Sequence, residues 1–175
     1  MANFEMPVTE YMTSPVETVR IGESLVAANE LFAGQGVSAL GVVDDDGVLK
    51  GVISRTDILH AAVYTHGETF RVPNRPVEEL MKSPALAVTR DASVADAAKL
   101  MLKNRVHRVF VTRDGRPEGV LSTRDLMRAV REKRLKTPIA EIASGSVVKV
   151  RADDPIALAV DRLDLSNKHG LIVVE

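Results

Sequence analysis

The sequence predicts a mixed α/β (α+β) fold in which one β-α-β-β-α unit occurs twice and begins a third time. The first observation is an internal repeat: residues 7–12 match residues 76–81, and the offset of 69 falls to 68 after Asp45. The second is an Asp-Gly pair between two apolar runs in each copy, which strongly indicates a β-hairpin. The third is the helical spacing of apolar residues before each hairpin.

Each unit opens with a turn, an extended stretch and a helix. We predict the turns at residues 8–12 and 77–81 and the extended stretches at residues 16–19 and 85–88. Ser24 and Ser93 are the predicted N-caps of the helices, because a serine hydroxyl satisfies an N–H group of the first helical turn.

A hairpin and a second helix close each unit. The predicted strands cover residues 39–43 and 48–53 in the first copy and residues 108–112 and 118–121 in the second. The second helices are predicted at residues 56–64 and 124–133. The connector at residues 65–75 contains Gly67, Pro73 and Asn74 and is predicted to be a loop.

The repeats divide the chain into residues 1–66, 67–136 and 137–175. One helix pair over so small a sheet cannot bury its apolar face alone, so we expect the two full copies to pack sheet to sheet. The third copy lacks a second hairpin strand and a second helix, which predicts an open sheet edge at residues 171–174. Either a longer chain or a second copy would cover this edge.

Composition limits the classes of function. The chain has no cysteine, which excludes disulfides, thiol nucleophiles and cysteine-ligated metals. The 23 basic and 24 acidic residues nearly balance, so neither nucleic acid nor a membrane is an expected partner. With no signal segment and no apolar run of membrane-spanning length, the sequence predicts a cytoplasmic protein.

Few residues carry chemistry. The four histidines lack the spacing of a zinc site, and the sequence contains no nucleophile-elbow, P-loop or dinucleotide-binding motif. We therefore expect no catalytic residue, no metal and no cofactor, and the sequence does not indicate an enzyme.

The strongest candidate site is a strand-to-helix junction, Gly-x-x-Ser-x-x-Asp, at residues 51–57 and again at residues 119–125. The structural interpretation is a capping box at each helix start, and the pattern alone favours it. The functional interpretation is a ligand site, because a helix start presents N–H groups to phosphate and an aspartate accepts ribose hydroxyls. The cations available to a phosphate are Arg55, Lys82, Arg105, His107, Arg108 and Arg124.

These segments together resemble a tandem pair of CBS domains over about residues 7–131, with half a domain at residues 138–175. The marks are Met-x-Ser-Pro at residues 12–15 and 81–84, Gly-Val-Ser-Ala-Leu-Gly-Val-Val-Asp at 36–44, Arg-Val-His-Arg-Val-Phe-Val-Thr at 105–112, and the two junctions. Their repeated order is specific, although each mark alone is weak. The resemblance implies a pseudo-twofold disc with two clefts between the repeats, which bind adenine nucleotides in many members, including regulatory subunits of AMP-activated protein kinase.

The resemblance also implies which residues form each cleft. The first cleft would use Ser54, Thr56, Asp57, Leu86, Val106, His107 and Arg108. The second would use Thr13, Val16, Val37, Ser38, Ala39, Ser122, Arg124 and Asp125. The two aspartates would hold ribose and Arg108 would hold phosphate. Ala39 occupies the place that matches Arg108, so we expect weaker phosphate binding in the second cleft unless Arg124 substitutes. In the third copy, His169 matches His107.

Two functions remain as alternatives. The leading one is a regulatory sensor that binds AMP, ADP, ATP or another adenosyl compound and controls an unidentified partner protein. The other is a ligand-free dimerisation or interaction module, in which the two junctions only cap helices. We also expect a homodimer in which the helical faces of two discs pack together.

Overall fold

The computed structural model describes residues 4–65, 69–143, 147–166 and 170–175, so His66 and His169 lie outside the described residues. The chain divides into two compact units, Met1–Leu135 and Lys136–Glu175. Within the described ranges, no helix has both the length and the apolar character needed to cross a membrane.

The first repeat has the predicted order of elements. A 3₁₀ turn at Val8–Glu10 precedes strand β1 (Thr18–Arg20), helix α1 (Leu25–Gln35), strands β2 (Ala39–Val43) and β3 (Leu49–Ser54), and helix α2 (Arg55–Ala61). The sheet order is β1-β2-β3, in which β1 is parallel to β2 and β2 is antiparallel to β3. The crossover through α1 makes the first pair parallel, and the tight turn makes the second pair antiparallel.

The connector between the repeats is a correction to the sequence prediction. Helix α2 ends at Ala61, and residues 65–75 are not wholly a loop: β4 (Val63–Thr65) pairs antiparallel with β5 (Thr69–Arg71). The loop prediction followed Gly67 and the two residues Pro73 and Asn74. It gave too little weight to the β-branched and aromatic residues around that glycine, which favour strands.

The second repeat has the same architecture as the first. It contains a 3₁₀ turn at Val77–Glu79, strand β6 (Ala87–Thr89), helix α3 (Val94–Asn104), strands β7 (Arg108–Arg113) and β8 (Arg116–Ser122), and helix α4 (Thr123–Glu132). The sheet order β6-β7-β8 repeats the parallel and antiparallel pairings of the first sheet. The two predicted β-α-β-β-α units are confirmed.

The helix starts follow the predicted capping chemistry. Ser24 Oγ accepts a hydrogen bond from the Ala27 N–H at 3.1 Å. Ser93 Oγ accepts one from the Asp96 N–H at 3.0 Å, and the Asp96 carboxylate accepts one from the Ser93 hydroxyl at 2.7 Å. Both predicted N-caps are confirmed, and the second is a reciprocal capping box.

The two repeats exchange their opening turns, which the sequence analysis did not predict. Val8 is fully buried in the core of the second repeat, and its N–H donates to the Ala92 carbonyl at 3.0 Å. Val77 is fully buried in the core of the first repeat, and its N–H donates to the Glu23 carbonyl at 2.8 Å. Each repeat therefore completes the hydrophobic core of the other.

Two glycines accommodate this exchange. A Cβ atom at Gly51 would lie 2.6 Å from Met81 Sδ and 3.0 Å from the Lys82 carbonyl oxygen. A Cβ atom at Gly119 would lie 2.5 Å from Met12 Sδ. The glycine that begins each junction is required because a methionine of the other repeat packs directly against it.

The second unit contains helix α5 (Ile139–Ile142), strand β9 (Lys149–Arg151), helix α6 (Ile156–Ser166) and strand β10 (Ile172–Val174). Strand β10 pairs in parallel with β9, and β9 is its one strand partner in the described part of the chain. The predicted open edge is therefore present among these residues. Ile139 and Ile156 are 79% and 83% exposed, whereas their counterparts in the second repeat, Val77 and Val94, are buried.

Candidate nucleotide-binding clefts

The first unit contains two clefts, each lined by residues of both repeats. The first has a volume of about 480 Å³, and its lining includes all seven residues predicted for it: Ser54, Thr56, Asp57, Leu86, Val106, His107 and Arg108. The second has a volume of about 500 Å³ and includes all eight residues predicted for it: Thr13, Val16, Val37, Ser38, Ala39, Ser122, Arg124 and Asp125. The structure thus brings each predicted set together.

A backbone hydrogen bond holds the start of each second helix next to the start of a central strand, β2 or β7. The Arg55 N–H donates to the Ser38 carbonyl at 3.3 Å, and the Thr123 N–H donates to the His107 carbonyl at 3.0 Å. The residue before β2 or β7 is therefore bonded to the first residue of α2 or α4. This contact places the junction aspartates beside the start of the central strands.

Asp57 lies in a complete capping box at the start of α2. Its Oδ2 accepts a hydrogen bond from the Ser54 N–H at 2.8 Å and another from the Ser54 hydroxyl. Ser54 Oγ in turn accepts one from the Asp57 N–H at 3.3 Å. The structural interpretation of this junction is confirmed. The capping bonds engage one carboxylate oxygen, and the other oxygen, Oδ1, lies 3.3 Å from Lys82 Nζ.

The pKa of Asp57 is set by opposing effects. Burial raises it, since the side chain is only 14% exposed. Hydrogen bonds from Ser54 and the ammonium group of Lys82 lower it by more, so the pKa lies below the usual value for aspartate. The first cleft therefore contains a largely buried carboxylate that is charged at neutral pH.

Asp125 has the same capping role in the second cleft. Its Oδ2 accepts hydrogen bonds from the Ser122 N–H at 2.8 Å and from the Ser122 hydroxyl at 2.6 Å. No basic group among the residues that the structure describes lies within ion-pair distance of this carboxylate. The two aspartates thus accept the same kind of hydrogen bond from a serine N–H, but in the described part of the chain Asp57 alone of the two has an ion-pair partner, Lys82.

Arg108 corrects one expectation about charge. It lines both clefts, and its Nη1 donates to Ser38 Oγ at 3.0 Å. In the sequence analysis, Ala39 of the second cleft stands at the place that matches Arg108, so Arg124 was the one arginine considered for phosphate in that cleft. Residues at the starts of β2 and β7 line both clefts, and Arg108 is one of them. Arg124 adds a second cation to the second cleft.

The structure also identifies cleft residues that the sequence analysis missed. Phe110 lines both clefts, and Glu17 adds a carboxylate to the second. The internal repeat contained a signal for Glu17, because it matches Leu86, a residue that was predicted for the first cleft. In the described residues, no cluster of three or more histidine, aspartate or glutamate side chains is arranged to hold a metal ion.

Comparison with known proteins places these clefts in a family. The CBS domain model matches residues 8–64 and 77–132. An uncharacterized protein of Methanocaldococcus jannaschii is 28% identical over 152 residues, which cover 82% of this chain and 34% of that protein. Inosine-5'-monophosphate dehydrogenase of Halobacterium salinarum is 27% identical over 169 residues, which cover 91% of this chain and 32% of the enzyme. The chain thus spans about a third of the length of these two relatives.

A solved structure has the same fold. The structure of CBSX2 in complex with AMP superimposes with a TM-score of 0.60 at 27% sequence identity, over 74% of this chain and 98% of that chain. The two matched segments correspond to the two structural repeats and together make up more than half of the chain. The chain therefore belongs to the CBS domain family and contains a tandem pair of these domains.

Proposed function

We propose that the CBS pair is a regulatory module that binds adenine nucleotides or related adenosyl compounds in its two clefts and controls a partner protein. The carrying observation is that each cleft combines a junction aspartate and basic side chains with apolar side chains of the repeat that does not supply the aspartate. CBSX2, which resembles this chain in fold and sequence, was solved with AMP bound.

Each part of an adenine nucleotide has a complementary group in the clefts. Asp57 and Asp125 each direct one oxygen to a capping box, which leaves the second oxygen to accept ribose hydroxyls. Arg108 supplies a cation for phosphate in both clefts. Apolar side chains such as Phe110 and Val106 flank the space for the base. These roles describe binding without a chemical step, so we assign a regulatory function instead of a catalytic one.

The alternative function is a ligand-free interaction module. One observation favours it: the capping boxes at Ser54 and Ser93 are equally complete, although only Ser54 lines a cleft. A capped helix start alone therefore does not require a ligand.

A thermal-shift screen separates the two functions. The wild-type protein is heated with AMP, ADP, ATP, NAD or S-adenosylmethionine, beside a variant that carries Asp57→Ala and Asp125→Ala. A ligand that binds only the folded protein adds about 2.7 kcal/mol of stability at a hundredfold excess over its dissociation constant. We expect at least one ligand to raise the wild-type melting temperature and to have little effect on the variant. No shift with any ligand would favour the interaction module, and equal shifts in both proteins would contradict the role of the two aspartates.

We further propose that the protein is a cytoplasmic homodimer formed through its helical faces. Leu59 on α2 and Met127 on α4 occupy matching positions in the two repeats and are 57% and 60% exposed. Burying these side chains between two copies would remove apolar surface from water. The lack of cysteine agrees with a reducing compartment.

A further inference from the structure

The two clefts differ in charge at five matched positions. Four of the differences make the first cleft more positive, and one of these is Arg55 against Thr123. The fifth, Thr56 in the first cleft against Arg124 in the second, acts in the opposite direction. At the other three positions, Lys82, Arg105 and Leu86 line the first cleft. The internal repeat aligns these residues with Thr13, Gly36 and Glu17, all of which line the second cleft. Arg108 lines both clefts and therefore does not contribute to this difference.

Lys82 is the one residue of these three that contacts a junction aspartate. Its Nζ lies 3.3 Å from Asp57 Oδ1, and its side chain is 74% exposed. Its backbone is fixed to β3, since the Lys82 N–H donates to the Val52 carbonyl at 2.9 Å and the Val52 N–H donates to the Lys82 carbonyl at 3.0 Å. The ammonium group can thus move on its flexible stem while the residue stays at the cleft.

Thr13 occupies the same backbone position at the second cleft. The Thr13 N–H donates to the Val120 carbonyl at 2.9 Å, and the Val120 N–H donates to the Thr13 carbonyl at 3.0 Å. Threonine cannot form an ion pair with Asp125. At this one matched position, the clefts therefore differ by an ammonium group beside the aspartate.

We propose that Lys82 is a specificity-determining residue that makes the first cleft select adenosyl ligands with several negative charges, such as nucleoside polyphosphates. This inference rests on the proposed function. An uncharged ribose competes with Lys82 for Asp57 Oδ1 and offers the displaced ammonium group no new partner. A polyphosphate provides that partner inside the same cleft, where Arg105 and Arg108 add further positive charge. In the second cleft, Glu17 and Asp125 offset the positive charge of Arg108 and Arg124, so this cleft prefers ligands with less negative charge.

Reciprocal substitutions test this assignment. Lys82→Thr is made in an Asp125→Ala background, so that only the first cleft is measured, and Thr13→Lys is made in an Asp57→Ala background. Adenosine, AMP and ATP are titrated into each protein by calorimetry at low and high salt. We expect Lys82→Thr to weaken ATP binding about three- to tenfold and to leave adenosine binding equal or tighter. Thr13→Lys should strengthen ATP binding by a similar factor, and both effects should shrink at high salt.

Two further results complete the test. Lys82→Arg retains the charge and should keep the preference for ATP, while circular dichroism verifies that each variant folds. An unchanged ratio of ATP to adenosine affinity in Lys82→Thr would overturn the role of Lys82 and leave the proposed function intact. If the wild-type protein and the single-aspartate backgrounds bind none of the three ligands, the proposed function fails as well.

Discussion

The exchange of opening turns makes Gly51 a sensitive position. Gly51→Ala would place a Cβ atom 2.6 Å from Met81 Sδ and 3.0 Å from the Lys82 carbonyl oxygen, both closer than van der Waals contact allows. Adding a methyl group to a well-packed site costs about 1–3 kcal/mol. We expect the larger part of this range, because the carbonyl belongs to a backbone segment that hydrogen bonds to Val52 fix in place.

Urea denaturation of four proteins measures this effect: wild type, Gly51→Ala, Met81→Ala and the double variant. Because the new methyl group clashes with Met81, the cost of the double variant should be smaller than the sum of the two single costs. Gly34→Ala is the matched control, since a Cβ there would meet no neighbouring atom within 4 Å. Gly34 lies in the last turn of α1, where alanine should stabilise the helix by less than the value of about 1 kcal/mol for a helix interior. Additive costs at Gly51 and Met81, or stabilisation by Gly51→Ala, would refute the exchanged arrangement.

Three further predictions concern charge and assembly. Arg108→Ala should weaken AMP binding about tenfold and leave adenosine binding nearly unchanged, as measured by calorimetry, because the lost partner is the phosphate. The pKa of the Asp57 carboxyl is lower in the folded protein than in the unfolded chain, where it is about 3.9. The charged carboxylate therefore stabilises the fold above the unfolded pKa, and this stabilisation is lost as the pH falls through the folded pKa. The difference in unfolding free energy between wild type and Asp57→Asn should shrink between pH 7 and pH 3, as urea denaturation would measure. Light scattering should show a dimer at micromolar concentration, and removal of residues 136–175, which expose Ile139 and Ile156, should increase solubility or change the oligomeric state.

Local patterns predicted the elements well because their causes are local. Ser93 and Asp96 are three residues apart, so the sequence itself specifies the capping box. The Asp-Gly pairs likewise specify the hairpins within a few residues. The loop prediction for the connector was wrong because it also rested on a local signal. Gly67 was given more weight than the strand-forming residues on both sides of it.

Local patterns could not predict the exchange of opening turns between the repeats or the position of Arg108 in both clefts. Met12 and Gly119 are both repeated features of the sequence, but nothing local indicates that a methionine of one repeat packs against a glycine of the other. The family resemblance assigned Arg108 to the first cleft alone, and the repeat placed Ala39 at the matching position of the second. In three dimensions its side chain lies between the clefts, where it reaches Ser38.

The central claim is that the junction aspartates bind a nucleotide as well as cap helices. Titrating AMP into the wild type and two variants by calorimetry tests this claim most directly. Asp57→Ala/Asp125→Ala removes both proposed ribose acceptors, and Asp96→Ala removes a capping aspartate of the same kind that lines neither cleft. Each change should cost about 1 kcal/mol of stability per lost cap. We predict that only the double variant loses AMP affinity, by tenfold or more, since two ribose hydroxyls lose an acceptor worth about 1–3 kcal/mol each. Equal AMP affinity in the wild type and both variants, with only lower melting temperatures, would contradict the account.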